Sequence, residues 1–165
     1  MVENKSEVLI LDGDDWLFNY YRPYRKIDQG EFDIEILGRP SGEQAGAHTV
    51  DFVPTGWWQG TVPCDLRGML LENKVIADPY FGRNCDQSRW VEDYEWWLRK
   101  SFFVPSSWQG RRIQLVFSGV DYEATYWLGG KQIGKSCDMF SEQTFEVQDL
   151  INFNQENILT VRLSP

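Results

Sequence analysis

Few residues in this chain have both the type and the spacing that a reaction centre demands. His48 is the only histidine among 165 residues, lies in a polar stretch and reads as solvated. The three cysteines, Cys64, Cys85 and Cys137, are an odd number at irregular spacing with no Cys-x-x-Cys pair, so they specify neither a disulfide framework nor a metal site. Each reads as a small buried or half-buried side chain. No Ser-His-Asp order, phosphate-cradling glycine loop or nucleotide fingerprint occurs. The 25 Asp and Glu residues always permit a carboxylate pair to be drawn, and for that reason select none. No catalytic residue, metal ligand or cofactor is assigned from the residues themselves.

Composition removes whole classes of partner. Sixteen Lys and Arg against 25 acids give a net charge of -9, and the basic residues come in small groups such as Arg111-Arg112. Nucleic acid and anionic membranes are therefore excluded as expected partners, because both need concentrated positive charge. No run approaches the ~20 apolar residues of a membrane span, and the first residues lack the basic and apolar segments of a signal peptide. A soluble chain is expected, with its compartment unset. Asn4-Lys5-Ser6 fits the glycosylation tripeptide, a pattern short enough to arise by accident. Aromatic residues make up 15% of the chain, with eight Trp, which favours pleated, half-buried surfaces and an all-β domain.

The elements follow from alternation, since successive strand side chains point to opposite faces. Ile113, Leu115 and Phe117 share one parity. Ala124, Tyr126 and Leu128 repeat it before Gly129-Gly130, a turn pair that predicts a β-hairpin into Lys131-Gln132-Ile133. Phe145 and Val147, then Leu159, Val161 and Leu163, continue the period. Residues 96–104 form a further strand with Lys100 on its apolar face, read as a polar position near one sheet edge, and Pro105 ends it. Residues 29–60 read as a long surface loop, and 66–75 as one or two helical turns. In Trp57-Trp58 and Trp96-Trp97, neighbouring side chains diverge, so one indole of each pair is expected in the core and the other partly exposed. No linker divides the chain, which reads as a single domain over 1–165.

Taken in order, the segments carry a resemblance. Leu11, Gly13, Trp16 and Phe18 open it. Val62-Pro63, Asp78-Pro79-Tyr80-Phe81-Gly82, Asn84, Trp90 and the run Glu92 to Arg99 form its middle. Phe117 to Asp121, Trp127-Leu128-Gly129-Gly130, Asp138-Met139-Phe140 and Phe145-Glu146-Val147 close it. The whole resembles the sugar-binding domain of glycoside hydrolase family 2, in particular its β-mannosidase and exo-β-glucosaminidase branch. Cys64 stands where that family usually has Gly, Arg67 where His is common, and Gly129 where Asn is usual.

The resemblance implies a jelly-roll-like β-sandwich of the galactose-binding-domain type, with antiparallel sheets and a short helical turn. It implies a non-catalytic domain that packs on the (β/α)₈ barrel of a larger enzyme, where the two catalytic glutamates lie, and helps to shape a carbohydrate pocket. The matching substrate-binding positions are Trp90, Glu92 and Asp93, with Asp138 as a weaker candidate; the alternative for these is an indole packed under its loop and acids that face water. The family's sandwich continues past Leu163-Ser164-Pro165, so an open strand edge and self-association of the fragment are expected. A freestanding carbohydrate-binding or lectin-like module is the competing reading.

Overall fold

A computed structural model describes residues 6–23 and 40–165; the Asn4-Lys5 part of the glycosylation tripeptide and the first part of the 29–60 loop lie outside them. The described chain forms eight strands: β1 Gly13–Tyr21, β2 Trp58–Val62, β3 Glu95–Phe103, β4 Gln114–Phe117, β5 Glu123–Leu128, β6 Lys131–Cys137, β7 Gln143–Glu146 and β8 Glu156–Ser164. Six make one antiparallel sheet in the order β2-β1-β3-β8-β5-β6, and β4 pairs with β7 in a second, two-stranded sheet. Two helices, α1 Leu66–Glu72 and α2 Asn84–Gln87, lie between β2 and β3.

Register divides the large sheet into two faces. On the inner face Trp16, Phe18, Trp96, Phe102, Tyr126 and Val161 are buried. Ile113, Leu115, Phe145 and Val147 of the small sheet and its flanks close over one part of it, and α1 covers another with Met69 and Leu70. Gly60 permits that second contact, because a Cβ there would sit 2.3 Å from the Met69 sulfur. The outer face carries Trp97, Arg99, Thr160 and Trp127, and residues 41–57 lie across it as a strap of turns. Each buried indole removes roughly 200 Å² from water, about 5 kcal/mol before the entropy of ordering is set against it.

The strap explains several departures from the sequence reading. Both members of the 96–97 pair are buried, Trp96 at 2% and Trp97 at 0% exposure, because each face of β3 is covered. Trp57 and Trp58 do point to opposite sides, yet both are half-buried: Trp58 packs on Phe18 at 5.6 Å and Trp57 on Phe52 at 5.5 Å. His48 is not simply solvated. The strap carries its ring to 5.7 Å from Trp127, and its Nδ1 is out of water without a hydrogen-bond partner among the described residues.

Strand β3 is central in its sheet, and Lys100 is buried within it with its ammonium on the Asp15 carboxylate. The expected loop gives way to strand at Trp58, where β2 pairs with β1 through Phe18. The cysteines are all exposed, at the ends of elements rather than in the core. Partial desolvation, aided by the Asp65 and Glu72 carboxylates, pushes the Cys64 thiol up to about 11, which leaves little thiolate at neutral pH.

The hairpin at Gly129-Gly130 forms as its sequence predicts, with both glycines at positive φ. Helix α1 starts where Asp65 accepts the Gly68 N–H at 2.8 Å, and it spans 66–72 within the expected 66–75.

Candidate functional site

Three of the four candidate residues share one short turn. A 3₁₀ segment, Arg89–Asp93, delivers the chain into β3, so Trp90, Glu92 and Asp93 are fixed by the strand that follows them. Val91 anchors the turn: its side chain is 4% exposed and its carbonyl accepts the Trp96 indole N–H at 2.8 Å. Trp90 is half-buried in an aromatic cluster, 5.3 Å from Tyr20, 5.9 Å from Tyr94 and 6.0 Å from Trp96. Its ring is thus held by packing, as a stacking surface must be.

Glu92 and Asp93 are exposed beside it. Glu92 accepts a 2.6 Å hydrogen bond from Arg67 of α1, so an unforeseen cation belongs to this corner. Arg67 marked itself in the sequence only as a departure from the family pattern. Tyr20 and Tyr94, which complete the aromatic cluster, carried no separate signal because tyrosines at strand ends are ordinary.

Asp138 stands on a different loop, between β6 and β7. Its carboxylate accepts the Phe140 N–H at 2.8 Å and the Ser141 hydroxyl. Those bonds, Ser141 first, hold its carboxyl below the usual carboxylate range. This is an Asx turn that shapes the loop, and it presents Phe140 at 86% exposure.

Between the two sheets runs an open groove of about 1720 Å³. Trp16, Leu98, Phe102 and Val161 form part of its apolar floor, and Arg67, Glu92 and Tyr94 stand among its lining residues. The β4 strand forms another wall. Val147 N donates to the Ile113 carbonyl at 3.0 Å, so the alternation of an antiparallel ladder turns Leu115 and Phe117 toward β7. The main-chain groups of Gln114 and Val116 point the other way, where β4 has no neighbouring strand among the described residues.

Among the described residues no three His, Cys, Asp or Glu side chains stand close enough together to hold a metal ion, and no helix is long and apolar enough to cross a membrane.

The architecture is that of a galactose-binding-like β-sandwich, with an aromatic and acidic corner beside its groove. The family description "Glycosyl hydrolase 2 galactose-binding domain-like" matches residues 41–165, and the chain belongs to that family. A β-mannosidase B of Emericella nidulans is 31% identical over 138 residues, 80% of this chain and 15% of that protein. A mannosylglycoprotein endo-β-mannosidase of Lilium longiflorum is 28% identical over 114 residues, 66% of this chain and 12% of that protein. The crystal structure of a β-D-mannosidase from Dictyoglomus thermophilum superposes with a TM-score of 0.72 at 31% identity, and covers 96% of this chain and 16% of that one. The chain therefore spans a small fraction of the length of the relatives it matches.

Proposed function

We propose that this chain serves as the non-catalytic sugar-binding-type domain of a β-mannosidase-like glycoside hydrolase, packs on that enzyme's catalytic barrel and supplies one wall of its sugar pocket. The parent reaction is hydrolysis of an O-glycosidic bond. What carries the reading is the match of nearly the whole chain to one small portion of a β-D-mannosidase. The Arg89–Asp93 turn is the part of the fold suited to the wall. Pyranose rings offer an apolar C–H face to an indole and hydroxyls to carboxylates, and Trp90 stands here with Glu92 and Asp93 on one rigid turn. Asp138, whose carboxylate is committed to its own loop, is the weaker candidate for a sugar contact.

Domain replacement tests this. The equivalent domain of the Dictyoglomus thermophilum enzyme is exchanged for this chain, and hydrolysis of an aryl β-mannoside is followed. A folded chimera that retains turnover, and whose KM rises in Trp90→Ala or Asp93→Ala, supports the reading. A folded chimera with no turnover, or unaffected kinetics in both variants, refutes it. Turnover by the isolated chain would refute the non-catalytic assignment.

A further inference from the structure

Among the described residues the small sheet ends on one side at β4, and the free side of that strand has a definite pattern. The ladder to β7 takes up the main-chain groups of Leu115 and Phe117, so those of Gln114 and Val116 face outward. The side chains divide in the same rhythm. Leu115 and Phe117 are half-buried against the inner cluster, whereas Gln114 and Val116 are exposed, Val116 at 48%. Beside this edge, Val8 and Ile10 are 76% and 68% exposed and line the open groove together with Val116. Glu7 ties that apolar segment to the entry of β4 through Trp108 and Arg111.

The two ends of β4 differ in charge. Arg111 and Arg112 precede the strand and Asp121 follows it, all three exposed. Arg111 gives Glu7 one guanidinium nitrogen and Arg112 gives Glu146 two, so each keeps N–H groups that can reach a second carboxylate. An edge that is basic at one end and acidic at the other complements its own antiparallel copy. Hydrogen-bond alternation then restricts the register, because residues with outward main-chain groups must face one another. Val116 opposite Val116 of a second copy meets that condition. It also sets Gln114 opposite Ser118, joins Leu115 to Phe117 on the inner face, and brings each arginine pair to the other copy's Asp121.

We propose that a second copy of this chain pairs antiparallel with β4 about a two-fold axis at Val116, making one four-stranded sheet in the order β7-β4-β4-β7. Each copy offers one such edge and the pairing consumes it, so assembly stops at the dimer. The joined strands are short, and a dissociation constant of roughly 0.1–1 mM is expected. The contact lies on the small sheet and does not depend on the role of the Trp90 turn.

The test is sedimentation equilibrium of the 165-residue chain from about 20 μM to about 2 mM in roughly 0.15 M salt, with amide NMR spectra over the same series. A monomer–dimer equilibrium is expected, with concentration-dependent shifts greatest at the Gln114, Val116 and Ser118 amides. Asp121→Arg makes the net charge less negative, which by itself favours association. Placed against the arginine pair of the second copy, it should instead raise the dissociation constant at least about fivefold. Arg111→Glu should weaken the dimer similarly, and the double variant, with the parent's net charge, should return to within about twofold of the parent. Val116→Pro removes an outward N–H and should give a folded monomer. The proposal is overturned by a chain that stays monomeric to about 2 mM, by assembly beyond the dimer, or by shifts that spare β4. Equal or tighter association in Asp121→Arg, or a double variant that does not recover, overturns it as well. Should a charge variant fail to fold, the parent's shifts and Val116→Pro decide, since undiminished association in that folded variant is equally fatal to the proposal.

Discussion

Glu95 accepts the indole N–H of Trp97, two residues further along the same strand, at 2.9 Å, and the same carboxylate oxygen accepts the backbone N–H of Gly42 at 2.7 Å. Glu95 is 3% exposed and Trp97 is fully buried. One side chain thus pins the strap to the sheet at its start, as Arg99 does further along with three carbonyls. Replacing Glu95 by Ala strands two buried donors, and a loss of about 2–4 kcal/mol is expected from urea unfolding. Glu95→Gln keeps an acceptor and should lose less. Equal losses in the two variants would contradict this account.

The same contact makes Gly42 intolerant of any side chain. A Cβ there would lie 2.2 Å from the Trp97 indole nitrogen. Gly42→Ala should destabilise by about 1–3 kcal/mol and raise hydrogen exchange across 41–50 before it affects β5 or β8. Gly56→Ala is the control for backbone strain, since its φ is +76° with no atom within 4 Å of the added carbon. It should cost stability without loosening the start of the strap.

Acid should weaken the fold through a defined set of carboxylates. Arg111 lowers the pKa of Glu7, Lys100 that of Asp15, Ser141 that of Asp138 and Arg112 that of Glu146. A carboxylate with a depressed folded-state pKa contributes stability that is complete above its unfolded value of about 4, and that is lost as pH falls through the folded value. Thermal melts between pH 6 and pH 2.5 should show a Tm that is level down to about pH 4.5 and falls below it. Asp15→Asn should shallow that fall, and an unchanged slope would remove the Asp15–Lys100 pair from the explanation.

The edge of β4, which no strand pairs among the described residues, should make the chain self-associate with rising concentration. The net charge of -9 opposes this, so added salt should promote it by screening. Val116→Pro is the diagnostic variant, because the Val116 N–H faces away from β7 and its loss breaks no ladder bond. Light scattering should report a variant that stays monomeric where the parent chain associates. Association of both to the same extent would move the contact elsewhere, for instance to Tyr80 and Phe81, which are 97% and 76% exposed.

The sequence was most informative where apolar and polar residue types alternate or a turn pair has one conformational use. Leu159, Val161 and Leu163 alternate with Thr160 and Arg162 in β8, and Gly129-Gly130 marks hairpin β5–β6, although both faces of β5 and β8 are covered. The outer face was hidden, because its cover comes from residues 41–57, a polar and glycine-rich stretch with no strand period. A reader of alternation assigns such a stretch to solvent, and therefore exposes one of Trp96 and Trp97 and solvates His48. The three candidate positions on the Trp90 turn come from family resemblance; their grouping could be inferred from adjacency, but the Arg67 partner of Glu92 could not, since the two lie 25 positions apart across turn and helix.

Strand β8 lies between β3 and β5, which have no contact ladder with each other. The other described strands of the large sheet precede it in the chain, so without β8 that sheet divides into the β2-β1-β3 ribbon and the β5-β6 hairpin. Neither can complete the inner face alone, because Leu159 and Val161 come from the strand still to be synthesised. The large sheet is therefore complete only when residues 156–164 join its two halves. A chain that ended before Glu156 would leave the facing edges of β3 and β5 open, in addition to the β4 edge that the described domain keeps.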